Sequence, residues 1–494
     1  MKLKKTTISI IAISLSTILS GCSISVNGVQ VYGPDSSPNV QAEIETRQTD
    51  NDENETGQTD NDENETGQTD NNENGYAKTK TSENEHYDDL TLQKVVVLSR
   101  HNIRTPLSST GSTLSEITPH EWISWSADTK ELTLKGGIME TFMGQYFKKW
   151  LVSEGLIEEN HIPEADEMLF YANSKQRTVA TAQYFSSGML PLANVTIEHQ
   201  SDLEKMDPTF NPAFTFVSDS YIEAVNEQIE EMFLNPQNQD TLNKLEASYH
   251  LLEDVVDYTR STGYTSGAYT DLTTDDIAVE IKKGEEPAML GSLKLGCQIS
   301  DALVLQYYES EDAGKASFGK ELTFEDWKKI SYVKDIYGDI LFTTPLVSQN
   351  VANPMLKEIQ RELQNDERSF SFLCGHDSNI GSVLAAMDVC EYELPDTIER
   401  VPIGSKLLFE KWVDSEGRAY GNIRLIYQST DQIREWTPLS TDCPPASYNF
   451  EFKGLSRNQE GLYDYDEMCD LIRKAIDRYD EIVQEYSDDA DIAA

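Results

Sequence analysis

Two apolar runs, far apart in the chain, each break off into charge. Val95-Val96-Val97-Leu98 is followed by Ser99-Arg100-His101, and Phe370-Ser371-Phe372-Leu373-Cys374 by Gly375-His376-Asp377. Unbroken apolar runs of this length read as strands buried on both faces. Such strands belong to parallel sheets covered by helices, and ligands of open α/β sheets bind just past the strands' carboxyl ends. The elements between and around the runs agree. Residues 133–151 have helical spacing, with Leu134, Ile138, Phe142, Tyr146 and Trp150 on one side. A short strand at 168–171 leads into a helix over 171–185. Residues from about 217 to 345 read as mostly helical and polar. A helix follows Asp377 to Met387, strands alternate at 405–412 and 422–427, and a last helix covers 464–486. The expectation is an α/β domain over residues 90–490: a central sheet flanked by helices, with a mostly helical lobe inserted at about 190–345.

The first charged segment is Arg100-His101-Asn102-Ile103-Arg104-Thr105-Pro106. Guanidinium forks match phosphate oxygens. A histidine set between them can attack phosphorus through a ring nitrogen, and Pro106 stiffens the turn. The bland alternative is a solvated charge cluster, but at this composition the pattern arises by chance in roughly two of ten thousand chains. His376-Asp377 is weak alone, since an Asp can merely cap the helix that follows. Beside the first segment it gains a role. Asp377 can give a proton to a leaving alkoxide, His376 can hydrogen-bond a phosphoryl oxygen, and the helix N-terminus favours an anion. No Cys/His spacing suggests a metal, and no cofactor is expected.

These segments resemble the histidine acid phosphatases, the branch of the histidine phosphatase superfamily that includes acid phosphatases and phytases. Leu132-Thr-Leu-Lys-Gly-Gly137, Tyr171-Ala-Asn-Ser-Lys-Gln-Arg177-Thr-Val-Ala-Thr-Ala182, Met206-Asp-Pro-Thr-Phe-Asn-Pro212, Gly375-His-Asp-Ser-Asn-Ile380 and Glu399-Arg-Val-Pro-Ile-Gly404 are similar in order and spacing to bacterial glucose-1-phosphatases. The resemblance runs from about Leu90 to the C-terminus. Asn102, where many relatives have Gly, matches the glucose-1-phosphatase subgroup. The resemblance implies His101 as nucleophile, Asp377 as proton donor, and Arg100, Arg104, Arg177 and His376 as phosphate holders. It also places Glu286 near the sugar. It implies hydrolysis of a small phosphomonoester such as glucose 1-phosphate, with a phytase as the nearest alternative and a non-catalytic phospho-ligand-binding lipoprotein as a more distant one. A cysteine pair of the periplasmic relatives is replaced here by Gly454-Leu455 and Gly461-Leu462-Tyr463. An oxidising periplasm is therefore not required, and a surface-anchored protein of a single-membrane cell fits as well.

The N-terminus carries Lys2, Lys4 and Lys5, an apolar stretch over 6–20, then Leu19-Ser20-Gly21-Cys22. This reads as a signal peptide (1–22) whose lipobox leaves Cys22 as the lipidated first residue, so that the membrane is a partner and the domain faces the cell envelope outside the cytoplasm. Residues 23–89 read as a tether. The decapeptide Gln48-Thr-Asp-Asn-Asp-Glu-Asn-Glu-Thr-Gly57 repeats at 58–67 and again, degenerate, from Gln68, with ten acids and no base between Asp50 and Glu73. Nothing there offsets the entropy of ordering, which predicts an extended, disordered spacer. The repeats lack the glycine and glutamate spacing of an EF-hand loop. Acids outnumber bases 86 to 40 for a net charge of -46, which argues against a nucleic-acid partner. No protein partner is indicated. Of the remaining cysteines, Cys374 reads as a core residue, and a Cys443–Cys469 pair is left open.

Overall fold

The centre of the sheet is β3 (Leu90–Arg100), and its sequence explains that position. Every residue from Val95 to Arg100 is buried. Side chains alternate across a strand: Val95 and Val97 enter one core with Phe370 and Phe372, while Val96 and Leu98 enter another with Leu373 and Phe409. A strand apolar in both phases needs cover on both faces, and it has it.

The computed structural model describes residues 87, 89–108, 112–235 and 239–487, with the backbone of residues 25–26 and 29–30. The latter form β1 (Ser25–Val26) and β2 (Val29–Gln30), an antiparallel pair within a first unit, Met1–Tyr76. The lipobox, Cys22 and the acidic repeats lie outside the described residues.

In the second unit, Ala77–Ala494, β3 pairs in parallel with β7 (Phe370–Gly375), and β7 pairs in parallel with β4 (Met168–Ala172). On its other side β3 pairs antiparallel with β8 (Lys406–Asp414). Then come β9 (Ala419–Tyr427) and, along the edge of β9, β10 (Ala446–Asn449) and β11 (Tyr463–Asp464). Helices Leu134–Ser153 and Gln176–Met189 cover one face through Phe147, Trp150, Phe185 and Met189. Helices Asn353–Gln364, Asp377–Ala386 and Tyr465–Tyr486 cover the other through Leu356, Ile359, Val383 and Ile472. Between the two sheet-covering helices Gln176–Met189 and Asn353–Gln364, the helices from Asp219 to Val351 build the helical lobe, with its own core around Tyr249, Leu303 and Trp327. The lobe also holds a small hairpin, β5 (Ala278–Glu280) with β6 (Ala288–Leu290).

Two local expectations are corrected. The helix after β4 starts at Gln176, not at residue 171, because Asn173–Lys175 turn away from the strand. The Leu134–Ser153 helix buries Met139, Met143, Phe147 and Trp150, while Leu134 is exposed and Ile138 and Phe142 are only partly buried. This helix is packed on more than one side, so one stripe of large residues does not define its buried face. Cys374 is buried as expected, and Cys443 and Cys469 are both free thiols.

Candidate active site

The carboxyl ends of β3, β7 and β4 are level: Arg100 pairs with Gly375, and Cys374 with Ala172. The residues just past them therefore converge. His101 N–H donates to Gly375 O at 3.0 Å, and Asn173 N–H to Cys374 O at 2.9 Å. The rings of His101 and His376 lie edge to face with centroids 5.4 Å apart. Arg177 enters from the first turn of its helix, and Asp377 opens the helix that follows His376. The structure thus gathers His101, Arg100, Arg104, Arg177, His376 and Asp377 in one place.

Hydrogen bonds fix the proton on each histidine. His101 Nδ1 lies 2.8 Å from Asn102 O. A carbonyl only accepts, so Nδ1 carries the proton and Nε2 keeps its lone pair. Burial, then the charge of Arg177, His376, Arg104 and Arg100, holds the imidazole well below its usual pKa, so this form persists into acid. Asn173 Oδ1 accepts from Asp207 N–H at 2.9 Å, which turns its Nδ2 to donate to His376 Nε2 at 2.7 Å. Asn173 thus leaves Nδ1 as the nitrogen that carries the proton of neutral His376; Arg177 Nη2, 3.4 Å away, is also a donor, so the two face each other without a bond and an anion between them would accept from both.

The arginines are held differently. Arg100 is buried between Glu399 (Nη1 to Oε1, 2.7 Å) and Asp377 (Nη2 to Oδ2, 3.2 Å). Arg104 makes a two-pronged bond to Asp301, at 3.0 and 3.1 Å. Arg177 has no such carboxylate among the described residues. Burial and then Arg104 push its guanidinium down to about 10, the sign of a cation short of counter-charge. Among the described residues, the Nε atoms of all three are buried without an acceptor. Buried orphan donors are costly, and an oxyanion would satisfy them.

Asp377 faces the site with 39% of its side chain exposed. Burial would raise its carboxyl pKa, but Arg100 and Lys334 hold it well below the usual range. Lys334 Nζ stands 2.8 Å from Glu399 and 3.5 Å from Asp377. Glu286 lies just before β6. Burial pushes its carboxyl up, and Arg177 and then Lys175 pull it back, which puts it within electrostatic reach of the phosphate-binding side. Beneath the loop, Asn102 Nδ2 donates to Glu140 at 2.8 Å, and Glu140 pairs with Lys406 at 2.8 Å, all fully buried. Among the described residues, no three His, Cys, Asp or Glu side chains form a metal-binding cluster.

A family model described as "Histidine phosphatase superfamily (branch 2)" matches residues 91–428. The chain belongs to this family. The phosphatase is 37% identical over 388 residues to a glucose-1-phosphatase of Salmonella typhimurium, covering 78% of this chain and 92% of the relative. It is 34% identical over 396 residues to a glucose-1-phosphatase of Providencia rettgeri, covering 79% and 93%. In structure it matches the apo form of Hafnia alvei phytase with a TM-score of 0.72 at 23% identity, over 80% of this chain and 99% of that one, a likeness of fold. It is thus a histidine-type phosphoric monoester hydrolase. The family resemblance and the fold class read from the sequence are borne out.

Sequence reasoning missed the supporting shell of the phosphatase. Asp301 and Lys334 stand in no motif, and Asn173 and Glu399 appear only within similar segments. Arg104 and Asp301 are 197 residues apart, and Arg100 and Glu399 are 299 apart. No spacing rule joins such pairs. The usable signal was the demand of three clustered arginines for carboxylates.

Proposed function

We propose that the phosphatase hydrolyses small phosphomonoesters, sugar phosphates such as glucose 1-phosphate among them, through a phosphohistidine on His101. The observation that carries this reading is the His101 Nδ1–Asn102 O bond, which leaves a lone pair on Nε2 beside three guanidinium groups. The substrate phosphate binds Arg100, Arg104, Arg177 and the Nδ1–H of His376. Nε2 attacks phosphorus as the bond to the leaving oxygen breaks, and Asp377 gives that oxygen a proton. Water then attacks the phosphohistidine, with Asp377 taking its proton, and phosphate leaves. The arginines meet the main need of phosphoryl transfer, stabilisation of the equatorial oxygens.

The ionised Asp377 of the free site gains its proton as substrate arrives. A phosphate dianion draws on Arg100 and sets negative charge beside the carboxylate, and both effects raise its pKa. Glu286 stands near the sugar. We further propose that Cys22 is a lipid anchor and that the domain works in the cell envelope, outside the cytoplasm. No helix among the described residues is long and apolar enough to cross a membrane.

The test is phosphate release from glucose 1-phosphate, other sugar phosphates and phytate, with acid-quench trapping of labelled phosphate. Label on His101 and loss of turnover in a folded His101→Ala variant are expected. Undiminished release by that variant would sink the mechanism, and a preference for phytate would move the substrate to inositol phosphates.

A further inference from the structure

The site opens into a cavity of about 280 Å³ that the reaction above does not use. It runs from Arg104, Asp301 and Asp377 into the groove between two helical segments. One is helix Asp377–Ala386, and the other is helix Phe324–Gly338 with its π-helical continuation Asp339–Thr343. In-line displacement puts the attacking and leaving atoms on opposite sides of phosphorus. The leaving oxygen therefore lies at Asp377, away from His101, and from there an alcohol can extend either toward Glu286, as proposed for the sugar, or into the groove that Asp377 lines.

That space is a poor host for a sugar. Gly381 lies one turn beyond Asp377, and Gly338 lines the same groove. A Cβ on Gly338 would meet nothing within 4 Å, and one on Gly381 only Thr343 Cγ2 at 3.7 Å. The glycines leave room rather than allow helix contact. Past them the walls are Tyr337, Phe342, Leu384, Ala385 and Val389. Leu384 lies seven residues along the helix from Asp377, about 10 Å at the helical rise. The charged groups of the far end are engaged with one another. Arg400 Nη1 holds Asp339 Oδ2 at 2.6 Å, Asp335 Oδ1 accepts from Arg400 N–H at 3.3 Å, and Thr343 Oγ1 donates to Asp339 O at 2.9 Å. A hexose carries a hydroxyl on nearly every carbon, and burying hydroxyls against carbon is unfavourable. The mouth, with Asp301 and Lys334, can take those hydroxyls; past it the walls are carbon apart from the Tyr337 hydroxyl.

We infer that the groove is a subsite for the leaving alcohol, and that the phosphatase prefers esters whose alcohol carries an aromatic or alkyl arm beyond the oxygen. The inference rests on the proposed roles of His101 and Asp377. Its test compares kcat/KM for 3-phenylpropyl phosphate, propyl phosphate and glucose 1-phosphate. The two alkyl esters share a leaving-group chemistry and differ in the arm. The phenylpropyl ester should exceed the propyl ester by at least about tenfold, and Gly381→Leu, which fills the groove, should bring that ratio close to one. If Gly381→Leu does not fold, the unaltered enzyme answers the same question: 3-phenylpropylphosphonate should inhibit glucose 1-phosphate hydrolysis at least about tenfold more tightly than propylphosphonate. Equal kcat/KM for the two alkyl esters, or equal inhibition by the two phosphonates, overturns the subsite alone. Failure to hydrolyse any of the three esters overturns the proposed roles of His101 and Asp377 instead.

Discussion

Replacing Asn173 with Leu removes the donor that keeps the proton of His376 on Nδ1. His376 can then turn a lone pair toward the phosphoryl oxygen, where a donor is needed. Losing one such donor lowers kcat by about 10²-fold. The expected result for Asn173→Leu on glucose 1-phosphate is a drop of that order with an unchanged far-ultraviolet spectrum. A drop below twofold would remove Asn173 from the positioning of His376. Lys334 tests the acid. It holds the Asp377 carboxyl down, second to Arg100. Lys334→Met should raise that pKa, keep Asp377 protonated to higher pH, and move the alkaline limb of the kcat profile upward for alkyl esters. An alkaline limb that stayed put or moved to lower pH would count against Asp377 as proton donor. The contrast in legibility is physical. His101, Arg100 and Arg104 are contiguous, so their chemistry stands in the sequence. Asn173 and Lys334 act through partners 203 and 43 residues away, and alone each is one polar residue among many.

The loop that carries His101 rests on the start of helix Leu134–Ser153. Thr133 caps that helix by accepting from Gly136 N–H, and Thr133 N–H donates to Ile103 O at 2.9 Å. A Cβ on Gly136 would sit 2.3 Å from that same carbonyl oxygen. Backbone cannot swing aside as a side-chain tip can, so Gly136→Ala must part helix and loop. Overpacking of this kind costs about 1–3 kcal/mol. Urea unfolding should show a loss in that range, and turnover of glucose 1-phosphate should fall more steeply than stability, because Ile103 is two residues from His101. A stabilised Gly136→Ala protein would refute the close approach. At this scale the buried strands are legible, since β3 and β7 are apolar in both phases. Helix faces are less so. Leu134 heads an apparent apolar stripe yet is 60% exposed, while Gly136 and Gly144, invisible to a hydrophobic count, mark where backbones meet. The turn at Asn173–Lys175 is masked by neighbours with helical spacing, and with it the role of Asn173.

Across the whole molecule, buried carboxyls set opposing pH limits. Burial acts against ionisation of Glu399, but Arg100 and Lys334 outweigh it and hold the carboxyl at about 2, below its ordinary 4.5. Its contribution to stability is present above pH about 4.5 and is lost as the pH falls toward 2. Asp335 is the reverse. Burial raises it to about 7 from 3.8, so the folded protein binds the extra proton and loses stability as the pH rises through that window. Thermal melts should therefore show greatest stability near pH 4, and Asp335→Asn should lessen the loss between pH 4 and 7; a melt temperature that climbs steadily to pH 7 would contradict this. The layered α/β architecture can be read from patterns because each layer is local, whereas these charge balances come from tertiary burial. The proposed N-terminal anchor and spacer rest on sequence alone. Cys22 follows Leu19-Ser20-Gly21, and acidic repeats follow the cysteine. One acyl chain holds a protein to a membrane only marginally, while the two or three of a bacterial lipoprotein hold firmly. Cys22→Ser should accordingly release the activity into the soluble fraction. Ten acids and no apolar side chain between Asp50 and Glu73 are the composition expected of a spacer. Deleting residues 48–75 should then leave the enzyme in the membrane fraction with nearly unchanged kinetics on glucose 1-phosphate. Fractionation of cells expressing each variant, with specific activity measured in both fractions, separates the two ideas. A Cys22→Ser protein that stays with the membrane refutes the anchor. A tenfold change in rate on deleting the repeats refutes the spacer and gives those carboxylates a regulatory or ion-binding role, because a passive tether cannot alter the chemistry of the site it carries.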